Sequence, residues 1–546
     1  MLGLMQQQPL LISSLLTHAA RHHANAEVVS AIGQGSTQRS TWATTESRAR
    51  QLVRVLQDLG VHAQDRVGTL AWNDLRHLEI YYAASGMQAI CHTINPRLAP
   101  DDIAYIINHA GDSVLFADPG FAPLICAIAA KITDSVRAIV LMTDAAGMQV
   151  LDLPPGMRLL CYDDLMADAD DDYAWPSFDE NTASALCYTS GTTGRPKGVL
   201  YSHRSTVIHA YAIALPDVLS LRTTSRILPV VPMFHVNAWG IPYATALTGA
   251  ALVLPGRHLD GASLARMLNQ ERVTLTCGVP TVWLGLLQHL RASGERLESV
   301  TRIMTGGSAA PPLLIEAFRD EFGVAVEHGW GMTELSPVGT YNAPKPGLDR
   351  DAAVRHMLKQ GRVLSGIDMK IVDGDGNELP WDGTQFGDLM VRGPWVCCGY
   401  YGDAPGSACD ADGWFATGDV ATIDPDGTME ITDRSKDVIK SGGEWISSIT
   451  LENIAVSHPD VAEAAVVAAS HPKWDERPLL LVVARPGHTV DPDAVLAMYQ
   501  GQVPKWWLPD AVVVVPELPH TATGKLLKTD LRTRYRDYYR NALPSP

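Results

Sequence analysis

Short apolar runs alternate with amphipathic segments from Trp42 to about Asp433. Apolar runs of this length predict buried strands, and apolar positions three or four residues apart predict helices. The alternation therefore predicts an α/β fold in which largely parallel sheets are layered against helices. The predicted strands are 67–72, 86–93, 113–116, 138–142, 226–231, 251–254, 301–304 and 324–327.

The pattern changes after Gly361, where the strands become shorter. The strings IVDGDGNEL and DPDGTMEIT carry Asp-Gly turn signals, which predict hairpins. We therefore predict a small β subdomain over about 361–433, at the end of a large N-terminal domain over 1–433.

A third pattern begins beyond Lys436 and predicts a separate α+β domain. The segment before it is charged and glycine-rich, as expected of a mobile linker. We predict a hinge over 434–440 and a small mobile domain over 441–546. The predicted elements of the small domain are helices near 449–458 and 493–502 and strands near 464–468, 479–483 and 511–515.

Composition narrows the classes of function. The 546 residues carry a formal net charge of −17, which argues against nucleic acid or an anionic membrane surface as a partner. The N-terminus is apolar but has no Lys or Arg before Arg21, so an amphipathic helix is predicted there instead of a signal peptide. No apolar run reaches the roughly 18 residues of a membrane span. A soluble protein without an integral membrane segment is expected.

The eight cysteines are scattered and form no CxxC pair, which is typical of a reducing cytoplasm. Adjacent Cys397 and Cys398 fit either a redox pair or a buried apolar pair on a strand. We favour the buried pair and assign neither thiol a role. A cytoplasmic protein is predicted.

The string YTSGTTGRPKGV at 188–199 predicts a phosphate-binding loop. Its glycines let backbone N–H groups converge on an anion, its hydroxyl groups add donors, and its lysine adds a positive charge. An apolar strand at 185–188 precedes it, and Ser202 suits the N-cap of a helix at 203–215. A flexible surface loop is the alternative, and no Walker A spacing fits. The residues concerned are Ser190, Gly191, Thr192, Thr193, Gly194 and Lys197.

Several strings, in order along nearly the whole chain, resemble the adenylate-forming superfamily of acyl-CoA synthetases, adenylation domains and luciferases. The resemblance is strongest to bacterial medium- and long-chain fatty acyl-CoA synthetases. The strings after the phosphate loop are PMFHVNAWG at 232–240, GGSAAPP at 306–312, GWGMTE at 329–334, TGD at 417–419, KSGGEW at 440–445 and TATGK at 521–525.

The resemblance implies that ATP and Mg²⁺ bind at these strings. Thr333 would hydrogen-bond the α-phosphate, and Glu334 with Thr189 would hold Mg²⁺, a hard cation that prefers oxygen ligands. Lys525 would enter the site and bridge the substrate carboxylate and the ATP phosphates. His520 stands where relatives often have Arg, which leaves a peripheral phosphate or CoA contact open.

The adenosine end is implied by two further strings. Trp330 would lie against the adenine in place of the usual Tyr, so stacking is kept and a phenolic hydrogen bond is missing. Asp419 would accept both ribose hydroxyls, with Arg434 as a second contact to ribose and phosphate. The remaining nucleotide contacts implied are Gly307, Ser308, Gly331 and Met332.

The string at 232–240 is implied to border the acyl group. His235 would lie beside the reacting carboxylate and separate the nucleotide from the acyl pocket. Trp239 matches a tryptophan that gates the acyl tunnel in relatives; an ordinary core aromatic in an apolar helix is the alternative. Gly307 would border the pocket from the other side.

The linker is implied to switch the site between two steps. Lys436 would be the hinge, and Lys440 would belong to the face used for thioester formation, unless it is merely a solvated linker lysine. The other residues of that face are Gly442 and Gly443, which would let the pantetheine thiol pass, with Glu444 and Trp445.

The resemblance predicts an AMP-forming ligase that joins an aliphatic acid to coenzyme A through acyl-AMP. The acid is expected to be a medium- to long-chain fatty acid, and a short thioether acid such as 3-(methylthio)propanoate is the alternative. An enzyme that passes acyl-AMP to a non-CoA acceptor and a non-catalytic adenylate-binding scaffold remain open. Relatives also suggest a homodimer.

Overall fold

The computed structural model describes residues 1, 3–33, 35–189, 195–442, 444–520 and 526–542. Layered sheets and helices form its N-terminal part, as the apolar pattern predicts. The first sheet is parallel apart from one antiparallel edge strand. Its strands, in order across the sheet, are Arg158–Cys161, Ala138–Leu141, Asp112–Ala117, Arg66–Leu70, Ile90–Thr93, Ala183–Tyr188 and Gly198–Ser202.

The second large sheet is parallel in its centre and antiparallel at both edges. Its inner strands are buried, because helices cover both faces of a parallel sheet. In order across the sheet, its strands are Arg362–Val363, Val338–Asn342, Ala325–Gly331, Arg302–Gly306, Leu275–Gly278, Arg226–Pro229, Ala251–Leu254, Glu27–Gly33 and Ser36–Thr41.

Two smaller sheets follow. An antiparallel sheet lies in the range predicted for the β subdomain, and its strands are Asp368–Val372, Phe386–Arg392, Phe415–Ile423 and Met429–Arg434. A mixed sheet near the C-terminus contains Glu444–Ile446, Ile439–Ser441, Asp475–Ala484, Val461–His471 and Ala511–Val514.

Helices cover the sheets, and one of them begins at the capping residue that the sequence suggests. Ser202 Oγ accepts a hydrogen bond from the Ser205 N–H at 3.0 Å, which confirms Ser202 as the N-cap of His203–Ala214. The other α-helical segments are Ile12–His22, Trp42–Asp58, Leu75–Gly86, Pro100–Ala110, Ala122–Ile128, Tyr162–Ala167, Ile241–Thr248, Gly261–Gln270, Pro280–Ser293, Pro312–Phe322, Arg350–Leu358, Ser448–Val456, Pro492–Ala497, Lys528–Tyr535 and Tyr538–Ala542. Short 3₁₀ turns occur at Pro119–Phe121, Ala129–Lys131, Ala145–Gly147, Thr333–Leu335 and Lys505–Trp507.

Some predicted bounds are wrong. The strand predicted at 86–93 begins only at Ile90, because Met87 N–H still donates to Ala83 O and prolongs the helix Leu75–Gly86. The helix predicted at 493–502 ends at Ala497, because the next N–H groups bond three residues back instead of four.

Cys397 and Cys398 do not form a buried pair on a strand, contrary to expectation. Cys397 is half-buried and Cys398 is exposed. Both follow the end of the strand Phe386–Arg392, and Cys397 N–H donates to Glu334 O at 2.8 Å instead of joining a sheet.

The apolar N-terminus forms the amphipathic helix Ile12–His22, as predicted, with Leu15, Leu16 and Ala19 buried. Of the helices that the structure describes, none combines the length and the apolar character needed to cross a bilayer. Two hydrophobic clusters lie wholly within residues 439–539, so this part of the chain has a core of its own. The bounds 1–433, 434–440 and 441–546 stay predictions.

Candidate active site

A cavity of about 520 Å³ lies where the strands Arg302–Gly306 and Ala325–Gly331 end. The carboxyl ends of parallel strands commonly meet ligands in α/β folds. The structure brings together, in the wall of this one cavity, predicted residues from distant parts of the sequence. They are Thr189, Lys197, His235, Trp239, Gly307, Trp330, Gly331, Met332, Thr333, Glu334, Arg434 and Lys436.

Other predicted residues lie elsewhere. Among the described residues of the motifs, Ser308, Asp419, Lys440 and Gly442 do not line the cavity. Glu444 and Trp445 belong to the strand Glu444–Ile446. The predicted residues outside the described part of the chain are Ser190, Gly191, Thr192, Thr193, Gly194, Gly443 and Lys525.

Asp419 is held directly behind the cavity wall. It is 2% exposed and pairs across a hairpin with Arg434, whose Nε lies 2.8 Å from Asp419 Oδ1. The Trp330 indole N–H donates to Asp419 Oδ2 at 2.8 Å. Tryptophan therefore supplies a hydrogen bond to the carboxylate expected to meet ribose.

Glu334, predicted to lie on the phosphate side, is fixed in the cavity wall. It is 8% exposed, and the Tyr400 hydroxyl donates to its Oε1 at 2.9 Å. Burial raises the pKa of Tyr400, so this hydroxyl keeps its proton and donates. The neighbouring Thr333 carbonyl accepts from the Tyr201 hydroxyl at 2.6 Å. Two tyrosines thus set the position of the turn that carries both predicted phosphate-side residues.

The base of the phosphate loop is closed by hydrogen bonds between Thr189 and Lys197. Thr189 N–H donates to Lys197 O at 2.9 Å, and Lys197 N–H donates to Thr189 Oγ1 at 3.2 Å. The Lys197 ammonium group lies 4.7 Å from the centre of the Tyr400 ring. Both ends of the loop therefore border the cavity next to Glu334.

These residues fit a magnesium ion only in part. Glu334 and Thr189 offer carboxylate and hydroxyl oxygens in the same cavity wall, and Mg²⁺ prefers such oxygens. In the described part of the chain, no cluster of three His, Cys, Asp or Glu residues could hold a metal by itself. Mg²⁺ bound with a nucleotide usually takes its other ligands from phosphate oxygens and water.

The string at 232–240 forms an unusual turn on the acyl side. Val236–Trp239 has four successive residues with φ between 49° and 58°, which is a left-handed turn. Left-handed backbone costs about 1–2 kcal/mol per residue for side chains other than glycine. An ordinary helix at Trp239 is therefore wrong. Trp239 is buried, lines the cavity and lies against Gly306, and its action as a gate stays a prediction.

Buried contacts hold this turn in place. A Cβ on Gly240, the residue after the turn, would lie 2.7 Å from His209 Nδ1, so glycine permits close packing there. Cys187 Sγ lies 3.5 Å from the Asn237 side-chain oxygen. The residues leading to His235 are tied to Asn73, which bonds to Pro229, Val231 and Met233. His235 itself lines the cavity.

The small C-terminal part contributes a separate segment to the cavity. Residues 526–529, directly after Lys525, line it. Lys436 also lines it, and its pKa is lowered by burial and by Arg434 and Arg532. The Arg532 guanidinium donates to Lys436 O at 2.9 Å and pairs with Asp437. These contacts tie the predicted hinge to the helix Lys528–Tyr535.

Lys440 and Gly442, two residues of the predicted thioester face, lie outside the cavity wall. Lys440 N–H donates to Glu476 at 2.8 Å within the mixed sheet. A Cβ on Gly442 would lie 3.1 Å from the Trp474 ring. His520, which replaces the more usual Arg, pairs with Glu463 at 3.4 Å. This arrangement presents residues 526–529 to the cavity and keeps Lys440 and Gly442 away from it.

Comparison with known proteins decides the family. A family model described as AMP-binding enzyme matches residues 16–401, and one described as AMP-binding enzyme C-terminal domain matches residues 450–525. The chain belongs to the AMP-binding enzyme family. The match covers both sheets that form the cavity and the segment ending at Lys525.

Curated relatives of this AMP-binding enzyme extend over its whole length. It is 53% identical over 542 residues to a 3-methylmercaptopropionyl-CoA ligase of Ruegeria lacuscaerulensis, covering 98% of this chain and 99% of that protein. It is 51% identical over 540 residues to a medium-chain-fatty-acid–CoA ligase of Ectopseudomonas oleovorans, covering 98% of each chain. The crystal structure of ATP-bound MatB from Rhodopseudomonas palustris matches with a TM-score of 0.81 and 25% identity, covering 97% of this chain and 100% of that one.

Sequence reasoning missed several residues of this AMP-binding enzyme that hold the site. Tyr201 and Tyr400 bond to Thr333 and Glu334, Asn73 bonds to the residues leading to His235, and Asp437 pairs with Arg532 next to the predicted hinge residue. None lies at a position that motif spacing singles out. Only the three-dimensional contacts identify them.

Proposed function

We propose that this enzyme joins an aliphatic carboxylic acid to coenzyme A, with ATP as the second substrate and acyl-AMP as the intermediate. One observation carries the proposal: residues expected at the nucleotide, Trp330 and Glu334, share a cavity with residues expected at the acyl group, His235 and Trp239. A nucleotide and a carboxylate can therefore meet in one space. The relatives named above are CoA ligases.

The first half-reaction forms acyl-AMP. A carboxylate oxygen attacks the α-phosphorus of ATP, and pyrophosphate leaves with the broken bond's electrons. Catalysis of this step is chiefly positioning and charge stabilisation. Thr333 and Lys197 line the cavity and are proposed to bind phosphate oxygens together with Lys525. Mg²⁺, when bound by Glu334 and Thr189, offsets further phosphate charge.

The second half-reaction forms the thioester. The thiol sulfur of coenzyme A attacks the acyl carbonyl, its proton is lost, and AMP leaves. Lys440 and Gly442 lie outside the cavity wall, so their use at this step requires the small domain to turn. Lys436 is the proposed hinge for that motion, which would withdraw residues 526–529 and Lys525.

For the acid, we favour a short to medium unbranched chain, with a thioether acid such as 3-(methylthio)propanoate as first candidate. The Trp239 ring would lie 3.3 Å from a Cβ at Gly306, and we infer that this ring limits the length of the acyl pocket. Met304 also lines the cavity, and a methionine and an indole are polarizable neighbours for a thioether sulfur. A medium- to long-chain fatty acid is the second candidate, favoured by the fatty-acid ligase among the relatives.

A chain-length series tests both the reaction and the acid. Purified enzyme is given 3-(methylthio)propanoate or straight-chain acids from propanoate to hexadecanoate, and AMP release is measured with and without coenzyme A. We expect CoA-dependent release, with kcat/KM at least tenfold lower for dodecanoate than for the thioether acid. AMP release that does not depend on coenzyme A would favour a different acyl acceptor. If no acid gives AMP release, the proposed ligase activity is excluded.

The substitution Trp239→Ala sharpens the test of the acid. One methylene group in an apolar pocket is worth about 1–3 kcal/mol, so opening the pocket should raise the relative kcat/KM of the longer acids by tenfold or more. Trp381→Ala is the matched control, because Trp381 is 40% exposed and outside the cavity. A wild-type kcat/KM that is highest for dodecanoate or a longer acid would contradict an acyl pocket suited to short and medium chains.

We place this activity in the cytoplasm, on the basis of the scattered free cysteines. A homodimer remains a prediction from the relatives, and sedimentation of the purified enzyme measures it directly.

A further inference from the structure

Tyr400 contacts two opposite charges at the phosphate end of the cavity. Its hydroxyl donates to Glu334 Oε1 at 2.9 Å. The ammonium group of Lys197 lies 4.7 Å from the centre of the same ring, which is within the range of a cation–π contact. All three residues line the cavity.

The backbone around Tyr400 is anchored to Glu334 and to the residue after Lys197. Cys397 N–H donates to Glu334 O at 2.8 Å, and Tyr401 N–H donates to Gly198 O, directly after Lys197, at 2.8 Å. These bonds do not depend on the side chain at position 400. A change of that side chain therefore leaves the backbone anchors intact and alters only what the ring and its hydroxyl do.

A lysine and a glutamate in one cavity attract each other, and the attraction is stronger there than in bulk water. A direct ion pair between them would have to break before the carboxylate could meet a metal ion and the ammonium a phosphate. Tyr400 gives each charge a partner that does not neutralise it. The hydroxyl engages one oxygen of Glu334 and orients the carboxylate, while the ring face holds Lys197.

We propose that Tyr400 is a positioning residue for the adenylation step, which keeps Glu334 ready for the metal ion and Lys197 ready for the phosphates. The inference rests on the proposed function, since it assigns Tyr400 to the ATP-dependent half-reaction. The two parts of the Tyr400 side chain have different tasks. The hydroxyl serves the metal side, and the ring serves the phosphate side.

Two substitutions separate these tasks. Tyr400→Phe removes the hydroxyl and keeps the ring, so the Mg²⁺ concentration that half-saturates ATP binding should rise about tenfold, while ATP affinity at saturating Mg²⁺ changes less than threefold. Tyr400→Leu also removes the ring, so ATP affinity at saturating Mg²⁺ should fall a further threefold to tenfold. Tyr400→Met replaces Tyr400→Leu if the latter does not fold.

Tyr401→Phe is the matched control. It removes a neighbouring tyrosine hydroxyl that bonds to Ala110 O at 3.3 Å and that does not line the cavity, and its backbone N–H remains. This variant should show wild-type Mg²⁺ dependence. Binding is measured by calorimetry with ATP at a series of Mg²⁺ concentrations, without acid or coenzyme A.

The inference is overturned if Tyr400→Phe has the Mg²⁺ dependence of Tyr401→Phe, or if Tyr400→Leu binds ATP at saturating Mg²⁺ as tightly as Tyr400→Phe. The expected Mg²⁺ shift in an enzyme that forms no acyl-CoA would support the role of Tyr400 and contradict the proposed function. The experiment therefore distinguishes a failure of the inference about Tyr400 from a failure of the proposed function.

Discussion

Replacement of Asn73 tests how the acyl side of the cavity is held. Asn73 Nδ2 donates to Pro229 O at 3.0 Å and to Val231 O at 2.9 Å, and Oδ1 accepts from Met233 N–H at 2.6 Å. The side chain is 2% exposed, so water cannot readily replace these bonds. Asn73 follows a strand of the first sheet, and the loop that it binds follows a strand of the second. One side chain therefore joins the two sheets beneath His235.

The stability lost when Asn73 is replaced can be estimated from these contacts. Each buried hydrogen bond contributes about 1 kcal/mol net, so Asn73→Ala should lower the free energy of unfolding by about 3 kcal/mol. Asn73→Asp keeps the shape of the side chain but turns oxygen towards two carbonyl oxygens, so it should cost at least as much. His235 follows Met233 by two residues, so kcat/KM for the acid should also fall tenfold or more in both variants.

Urea unfolding, followed by circular dichroism and tryptophan fluorescence, measures the stability change, and pyrophosphate exchange measures adenylation. Thr276→Val is the matched control, because it removes one buried hydrogen bond, from Thr276 Oγ1 to Leu228 O at 2.7 Å, on a neighbouring strand. The control should lose about 1 kcal/mol and keep its KM for the acid. An Asn73→Ala enzyme within about 1 kcal/mol of wild type, or with the control's KM, would refute this account of the loop.

Two further predictions concern KM for ATP and the stability of the fold at low pH. Trp330→Phe keeps an aromatic face but loses the indole N–H that donates to Asp419. KM for ATP, measured by pyrophosphate exchange, should therefore rise threefold to tenfold. An unchanged KM would show that this hydrogen bond does not position Asp419. Burial lowers the pKa of His77 to about 4 and that of His209 to about 3, below the ordinary value near 6.5. Both histidines therefore stay neutral in the folded protein, while in the unfolded chain they take up protons below about pH 6.5. The free energy of unfolding should fall as the pH drops from about 6.5 towards 4, and the loss at pH 5 should be about 2 kcal/mol per histidine. The urea midpoint measured from pH 7.5 to 5 checks this; His209→Gln should reduce the slope, and a midpoint that does not move would contradict it.

The layered architecture could be predicted because it follows from local patterns. Apolar runs fix which segments become strands, and Ser202 with Ser205 forms a capping box that starts His203–Ala214 at the predicted residue. Motif residues such as Gly307 and Glu334 then meet because they follow the carboxyl ends of the neighbouring strands Arg302–Gly306 and Ala325–Gly331. A sequence pattern thus predicts which residues share a site when strand order brings their loops together.

The left-handed turn at Val236–Trp239 could not be predicted in this way. A β-branched valine disfavours positive φ, so local preference argues against the observed backbone. The turn persists because distant residues surround it: His209 packs against Gly240, and Cys187 approaches Asn237. Tertiary contacts decide the conformation, and the sequence near the turn carries no sign of them.

The two ends of the cavity are held by different parts of the molecule. On the acyl side, Asn73 and the Tyr81 hydroxyl bond to Met233 within the large N-terminal part. On the nucleotide side, the wall includes Arg434, Lys436 and residues 526–529, at or beyond the predicted hinge. If the small domain turns about Lys436, as proposed, the nucleotide side changes its lining while the acyl side keeps its own. The acyl group of the intermediate can then stay in place while coenzyme A takes over the side from which residues 526–529 withdraw.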